Sequence, residues 1–334
     1  MGRSEPNRAS NGRRRASARS AAGVLAAITL CTVSAAHAAG FVYTEFANED
    51  KGVLQGASDA VFGDNTSDGG MTHGFLFSHM HDIGANRQLS LGFEQHLFSP
   101  SGQNKRNRSA TVGDRPFAGY LGAGVGYTRR DGRWLQRAEL KLGVVGPDAQ
   151  GREVQNAAHE DVVAAGTHEA WNDQVANRRG AIVGYRVARR WLTDCRPICL
   201  EATPHGVVTR GNLLAYEGLG LSLRAGNRLD RDFGPPVFSM LSRGGHTTNH
   251  RGFSWSVGAG IEQRLVRRNY LLQGPTIESG ATSVAMLRGL TERQFGADVA
   301  WKSTTLSLTF VRRGAEFPGE RPQDFMRLGL AVRH

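Results

Sequence analysis

The chain has 334 residues, of which 43 are glycine, almost twice the usual share of about 7%. Hydrophobic residues are only 40%, mean hydropathy is −0.37, and no run of about 20 apolar residues occurs, which excludes a helical membrane bundle. Lys and Arg number 41 against 30 Asp and Glu, a formal charge of +11 that points to anionic partners.

Residues 1–38 read as a secretory signal. Arg3, Arg8, Arg13, Arg14, Arg15 and Arg19 precede an apolar run from Ala21 to Val33, too short to span a bilayer, and Ala36-His37-Ala38 supplies a small-x-small cleavage site. Without it the balance is 35 basic against 29 acidic residues, or +6. Export excludes a cytosolic nucleic-acid binder, so no nucleic acid is expected as partner. Cys31 leaves with the signal, and Cys195 and Cys199 remain around Pro197. A disulfide closing a tight turn is expected there, because no second Cys or His pair completes a metal site.

Period-two alternation runs through the rest. Leu89, Leu91, Phe93 and Leu97 alternate with Gln88, Ser90, Gly92, Glu94 and His96; Ala138, Leu140, Leu142 and Val144 alternate with Arg137, Glu139 and Lys141. Similar stripes follow through Leu219–Leu223, Phe253–Ile261, Phe295–Trp301 and Leu306–Phe310. The stripes are long, and the faces opposite the apolar ones mix glycine with charges of both signs, as in a barrel interior whose outer wall meets lipid. The expected strands are 41–49, 71–82, 87–98, 115–129, 133–146, 179–192, 198–209, 214–227, 252–267, 288–303, 304–316 and 321–333. This is an all-β, twelve-stranded antiparallel transmembrane barrel over 39–334, with long extracellular loops, one of them carrying a short helix.

Connection lengths set the orientation, since periplasmic turns are short and outer loops long. Ile83–Asn86, Arg130–Gly132, Cys195–Cys199 and Lys302-Ser303 follow even-numbered strands, whereas 50–70, 99–114, 147–178 and 268–287 follow odd-numbered ones. Residues 228–251 disobey: either a strand near Val237–Leu241 is missing from the count or the segment is special. The chain also ends Ala331-Val332-Arg333-His334, without the usual terminal aromatic.

G-x-S-x-G, H-E-x-x-H, Walker and G-x-G-x-x-G motifs are absent, so any active site is assembled from loops. Four polar clusters, at 48–50, at Thr72, at 99–106 and from Gly146 to His159, meet at the outer rim of this topology. Motifs within and between them follow one another along the chain. They are Asn48-Glu49-Asp50, Thr72-x-Gly74, Ser99-Pro100-Ser101-Gly102 with Asn104-Lys105, Gly113-Asp114-Arg115-Pro116-Phe117, Gly146-Pro147 with Gln155-Asn156 and His159, and Trp171-x-x-Gln174. In this order they resemble the lipid A 3′-O-deacylase family of Gram-negative outer membranes over nearly the whole mature chain.

The resemblance implies a calcium-dependent outer-membrane hydrolase that removes the 3′ acyloxyacyl chain of lipid A; a monomer with its site facing the outer leaflet is expected. Lipopolysaccharide is the implied substrate and membrane lipid the surroundings. The family's functional positions fall on Asn48, Glu49, Thr72, Lys105 and His159; the family commonly has Asp where this chain has Glu49, which bears on metal geometry rather than fold. Ester hydrolysis then assigns roles. A neutral His159 imidazole takes a proton from water, with Gln155 four residues earlier on a helical reading of 151–163. Glu49 is the carboxylate for Ca2+, Asn48 holds water or ester, and Thr72 offers a hydroxyl and N–H to an oxyanion. Lys105, beside Arg106 and Arg108, grips glucosamine phosphates. Two rival readings are a non-enzymatic pore or adhesin, which has no need of these residues at one mouth, and a phospholipase A-like barrel.

Overall fold

A computed structural model of the chain describes residues 40–49, 70–100, 113–158, 169–231, 252–278, 280 and 284–333. Its strands belong to one compact unit, Ala39–Gly151 with Glu169–His334. They are β1 (Gly40–Glu49), β2 (Gly70–Asp82), β3 (Arg87–Ser99), β4 (Ala118–Asp131), β5 (Trp134–Val145), β6 (Arg178–Arg189), β7 (Cys199–Gly211), β8 (Leu214–Gly226), β9 (Phe253–Asn269), β10 (Gly289–Trp301), β11 (Thr304–Arg313) and β12 (Gln323–Arg333). A two-residue strand, Trp191–Leu192, prolongs β6.

Each strand pairs antiparallel with its neighbours in sequence. β1 meets β12 from Phe41↔Arg333 to Glu49↔Phe325, and β6 meets β7 from Ile182↔Gly211 to Ala188↔His205. The sheet therefore closes into a twelve-stranded barrel with no free edge, which satisfies every ladder in a lipid environment that offers no water. No helix among the described residues is long and apolar enough to cross a membrane.

The expected strands appear within a few residues, and the differences have local causes. β4 starts at Ala118 rather than at 115, because Pro116 lacks the N–H that a ladder needs and the Asp114 carboxylate accepts the Arg115 N–H at 2.7 Å. β11 stops at Arg313, before Gly314, and β12 begins only after Pro322. β8 and β9 pair directly from Gly226↔Ser256 upward, so the wall closes without a strand at Val237–Leu241, residues outside the described part. Cys195 and Cys199 form the expected disulfide, with a Cα–Cα distance of 4.3 Å.

The two faces differ as lipid and lumen require. Leu91, Leu142, Leu200, Leu219 and Leu223 stand exposed on the outer wall. Trp134, Trp191, Phe253 and Trp301 form an aromatic belt beside the short turns, with Arg189 5.4 Å from the rings of Trp134 and Trp191 and Lys302 5.8 Å from that of Trp301. This is the chemistry of a membrane–water interface.

Inward positions carry buried ion pairs, Lys141–Glu94 at 3.0 Å, Arg224–Glu201 at 3.0 Å, Arg264–Glu292 at 3.2 Å and Arg313–Glu292 at 2.9 Å, and a buried hydrogen bond between His205 Nε2 and Glu262 Oε2 at 3.0 Å. Much of the glycine makes room for them. A Cβ on Gly124 would lie 2.9 Å from the Lys141 stem, and one on Gly220 would collide with the His205 ring. A lumen packed this way is filled by side chains, which weighs against the pore reading.

Candidate active site

At the outer end the wall is not bare. Leu89, Leu91, Phe93, Gln95 and Leu97 share the lipid-facing side of β3 by alternation, yet Leu97 is 0% exposed. The cover is the segment after β5. Gly146, at φ 102°, turns the chain and donates its N–H to the Gly119 carbonyl at 3.0 Å. A 3-10 turn, Pro147–Ala149, follows, and the Ala149 carbonyl accepts from Gln95 Nε2 at 2.7 Å. Gly119 on β4 lets this turn approach, since its Cβ would stand 3.2 Å from that of Ala149.

Trp171 locks the segment down. Its ring is fully buried with its centroid 4.9 Å from that of Phe117, and a Cβ on Gly151 would come within 2.7 Å of it. The Gln174 Nε2 donates to the Trp171 carbonyl at 3.1 Å. Val175 N–H binds the Phe117 carbonyl at 2.9 Å, and Ala176 N–H binds that of Pro275 at 2.8 Å. Three outer loops are thus stitched together over the upper wall by residues of the Gly113–Phe117, Gly146-Pro147 and Trp171-x-x-Gln174 segments.

Helix α1, Gly151–Ala158, carries Gln155 and Asn156. His159 lies outside the described residues, as does Lys105. Asn48 and Glu49 close β1: Asn48 is the register partner of His73 on β2 and Met326 on β12, and Glu49 that of Phe325. Their side chains are likewise outside the described part.

Thr72 occupies a β-bulge. Met71 pairs with Phe98 and His73 with Leu97, so Thr72 is the extra residue between them. A bulge re-aims the inserted residue and frees its backbone from the ladder. The Thr72 Oγ1 lies 2.5 Å from Ser99 Oγ. The structure therefore brings the Asn48, Thr72 and Ser99 positions together at the adjoining outer ends of β1, β2 and β3. Ser99, read in the sequence only as part of a motif, becomes the direct partner of Thr72.

A second buried cluster is marked in the sequence only by the place of Arg115 in the Gly113–Phe117 motif. Arg115 pairs with Glu316 at 2.5 Å and Glu320 at 3.4 Å. Glu316 also accepts from Asn269 Nδ2 at 3.2 Å, and Gln323 Nε2 donates to Glu320 at 2.5 Å. Burial raises the Glu316 carboxyl, but Arg115 and Arg313 outweigh it and hold it below the ordinary range. Burial also raises Glu320 and, with Glu316 adding repulsion, prevails over Arg115 there.

The two hydroxyls at the bulge, those of Thr72 and Ser99, offer oxygen, the donor that a hard cation prefers. No group of three His, Cys, Asp or Glu side chains able to hold a metal occurs among the described residues. A cavity lined by His96, Phe98, Tyr216, Arg264, Arg313 and Glu316 opens on the lumen face, among ion-paired side chains.

A closed twelve-stranded barrel with an apolar outer wall, an aromatic belt, an ion-paired lumen and polar groups collected at one rim is a protein of the bacterial outer membrane. The family model for outer membrane protein LpxR matches residues 24–334. The structure of LpxR from Salmonella typhimurium superposes with a TM-score of 0.83 at 30% identity, covering 87% of this chain and 99% of that one. The chain belongs to the LpxR family, the lipid A deacylases that its loop motifs resemble. The β domain of the Bordetella autotransporter BrkA, at 13% identity, covers 89% of this chain and 100% of that one with a TM-score of 0.43. No curated protein matches the chain.

Proposed function

We propose that this chain hydrolyses the ester bearing the 3′ acyloxyacyl chain of lipid A, with water activated by His159. The observation that carries the reading is the position of Thr72 and Ser99. They stand at the outer-leaflet end of a lipid-facing wall, where the sugar-linked esters of lipid A lie.

In the reaction His159 accepts a proton from water as the oxygen attacks the ester carbonyl carbon, and the carbonyl π pair moves to oxygen. The oxyanion is received by the Thr72 hydroxyl and bulge N–H. If Ser99 donates to Thr72 Oγ1, the Thr72 proton is left for the oxyanion. Collapse breaks the bond to the glucosamine 3-oxygen, which takes the proton from His159, giving the free acid and the sugar alcohol. Asn48 orients the ester through its amide, and Lys105 holds a phosphate. Glu49 would hold Ca2+, which supplies Lewis-acid stabilisation of the developing charge when bound.

The test uses purified, refolded protein with lipid A in mixed micelles. His159→Ala should leave a heat-modifiable barrel and lower kcat by at least the roughly 100-fold that a general base supplies. Glu49→Gln should move the calcium titration to higher concentration, since a neutral ligand loses charge attraction while keeping an oxygen. Near-full activity of His159→Ala would remove the base assignment. An unmoved titration would place the metal elsewhere, with Asp50 the next candidate.

A further inference from the structure

The buried cluster under the outer loops leads to one side chain, Gln323, the first residue of β12. It is 2% exposed. Its amide can face only one way: Nε2 donates to Glu320 Oε1 at 2.5 Å and Glu316 Oε2 at 3.4 Å, which leaves Oε1 to accept the Met71 N–H at 3.3 Å. Gly70, at φ 97°, admits this contact, because a Cβ there would overlap the Gln323 carboxamide. Met71 is the residue before Thr72, and its partner across the bulge, Phe98, carries the Arg115 guanidinium 5.2 Å from its ring centroid. Arg115, Glu316, Glu320 and Gln323 thus form a chain of contacts that ends on the backbone amide beside the bulge.

We infer that Gln323 is a positioning residue for the reaction proposed above: by holding the Met71 amide it fixes the bulge that presents the Thr72 hydroxyl and N–H. The inference rests on that reading of function for its catalytic consequence, but not for its geometry. A bulge has a competing state, because shifting one residue would restore continuous pairing between β2 and β3 and turn Thr72 to the other face. Gln323 binds only the bulged register. Arg115 lends the two carboxylates the charge balance that keeps them acceptors for the Gln323 amide, so the arginine of the Gly113–Phe117 motif acts on Thr72 through three intermediates.

Two substitutions separate positioning from folding. Gln323→Met removes all three hydrogen bonds at similar volume; kcat should fall about 100-fold, the cost of misplacing a reacting group by about 1 Å, with KM unchanged and the barrel still heat-modifiable. Gln323→Glu restores the wild-type pattern only when protonated, its O–H donating to Glu320 and its carbonyl accepting from Met71. The groups facing it are Glu316 and Glu320 from the β11–β12 loop, Arg115 from the β3–β4 loop, Arg313 from β11 and Asn269 from β9. Beside two carboxylates it ionises late, so its kcat should approach wild type at acidic pH and fall reversibly as pH rises, a limb that wild type lacks.

Backbone hydrogen exchange of residues 70–73, followed by mass spectrometry, reads the geometry directly and should quicken in Gln323→Met. Unchanged exchange overturns the inference, as do wild-type kcat in Gln323→Met and equal loss by Gln323→Glu at every pH. If wild-type protein fails to deacylate lipid A in the same assay, the functional reading falls while the exchange result still decides the positioning.

Discussion

Replacing Arg115 by Met tests the buried loop cluster quantitatively. The substitution keeps an unbranched stem over Phe98 and deletes the charge that faces Glu316 at 2.5 Å and Glu320 at 3.4 Å. Removing one partner of a buried pair typically costs about 3–5 kcal/mol, because the other charge stays buried without compensation. Asn269 and Gln323 still donate to the carboxylates, and Arg313 still favours the charged Glu316, so the lower end, about 3 kcal/mol at neutral pH, is expected.

The pH dependence gives the sign. In wild type Glu316 sits below its ordinary value, so its contribution is present above the carboxylate range and is lost as pH falls through the folded value. Without Arg115, burial is unopposed by its largest counterweight at both carboxyls. Their folded values rise, and stability declines as pH rises through them. The urea midpoints of wild type and Arg115→Met, followed by tryptophan fluorescence in detergent, should therefore diverge at pH 7.5 and converge near pH 4. A residual gap of about 0.5–2 kcal/mol is allowed for the lost contact with the Phe98 ring. An equal gap at both pH values would mean that packing, not charge, is what Arg115 provides; no gap at pH 7.5 would dissolve the cluster's role.

Three further outcomes follow from the fold. Alkylation of native protein without reductant should label neither Cys195 nor Cys199, and labelling of both would remove the disulfide. Trp171→Ala empties a fully buried site and should cost about 3–5 kcal/mol locally; the expected result is protease cleavage in 169–177 with an intact heat-modifiable barrel, and resistance equal to wild type would refute the locking role. A cysteine introduced at Asn107 should react with an impermeant reagent on intact cells while one at Asp131 should not, and the reverse pattern would invert the barrel.

The wall was legible because two media wrote it: lipid selects Leu219, Leu221 and Leu223, and the lumen selects the glycines and ion pairs between such stripes. Its strand ends were less so, since Pro116 and Pro322 stop ladders that hydropathy alone would continue. Motif order marked Asn48 and Thr72, and the structure adds why Thr72 is unusual. A bulge is one extra residue, visible only when the registers of both neighbours are known. The pairing of Arg115 with Glu316, 201 residues apart, leaves no local trace, because nothing in a five-residue loop motif says which distant carboxylate it meets. Gln323 was invisible for the same reason: its role depends on Gly70 and Met71 across the barrel seam.

Lipid A extracted from cells expressing the full chain and analysed by mass spectrometry, with Ca2+ or with chelator, is the most direct test of this chemistry. The wild-type chain should yield lipid A lighter by one 3′-linked acyloxyacyl group only when calcium is present, and His159→Ala should yield the intact species. Intact lipid A under every condition, or fatty acid released from glycerophospholipid instead, would contradict it.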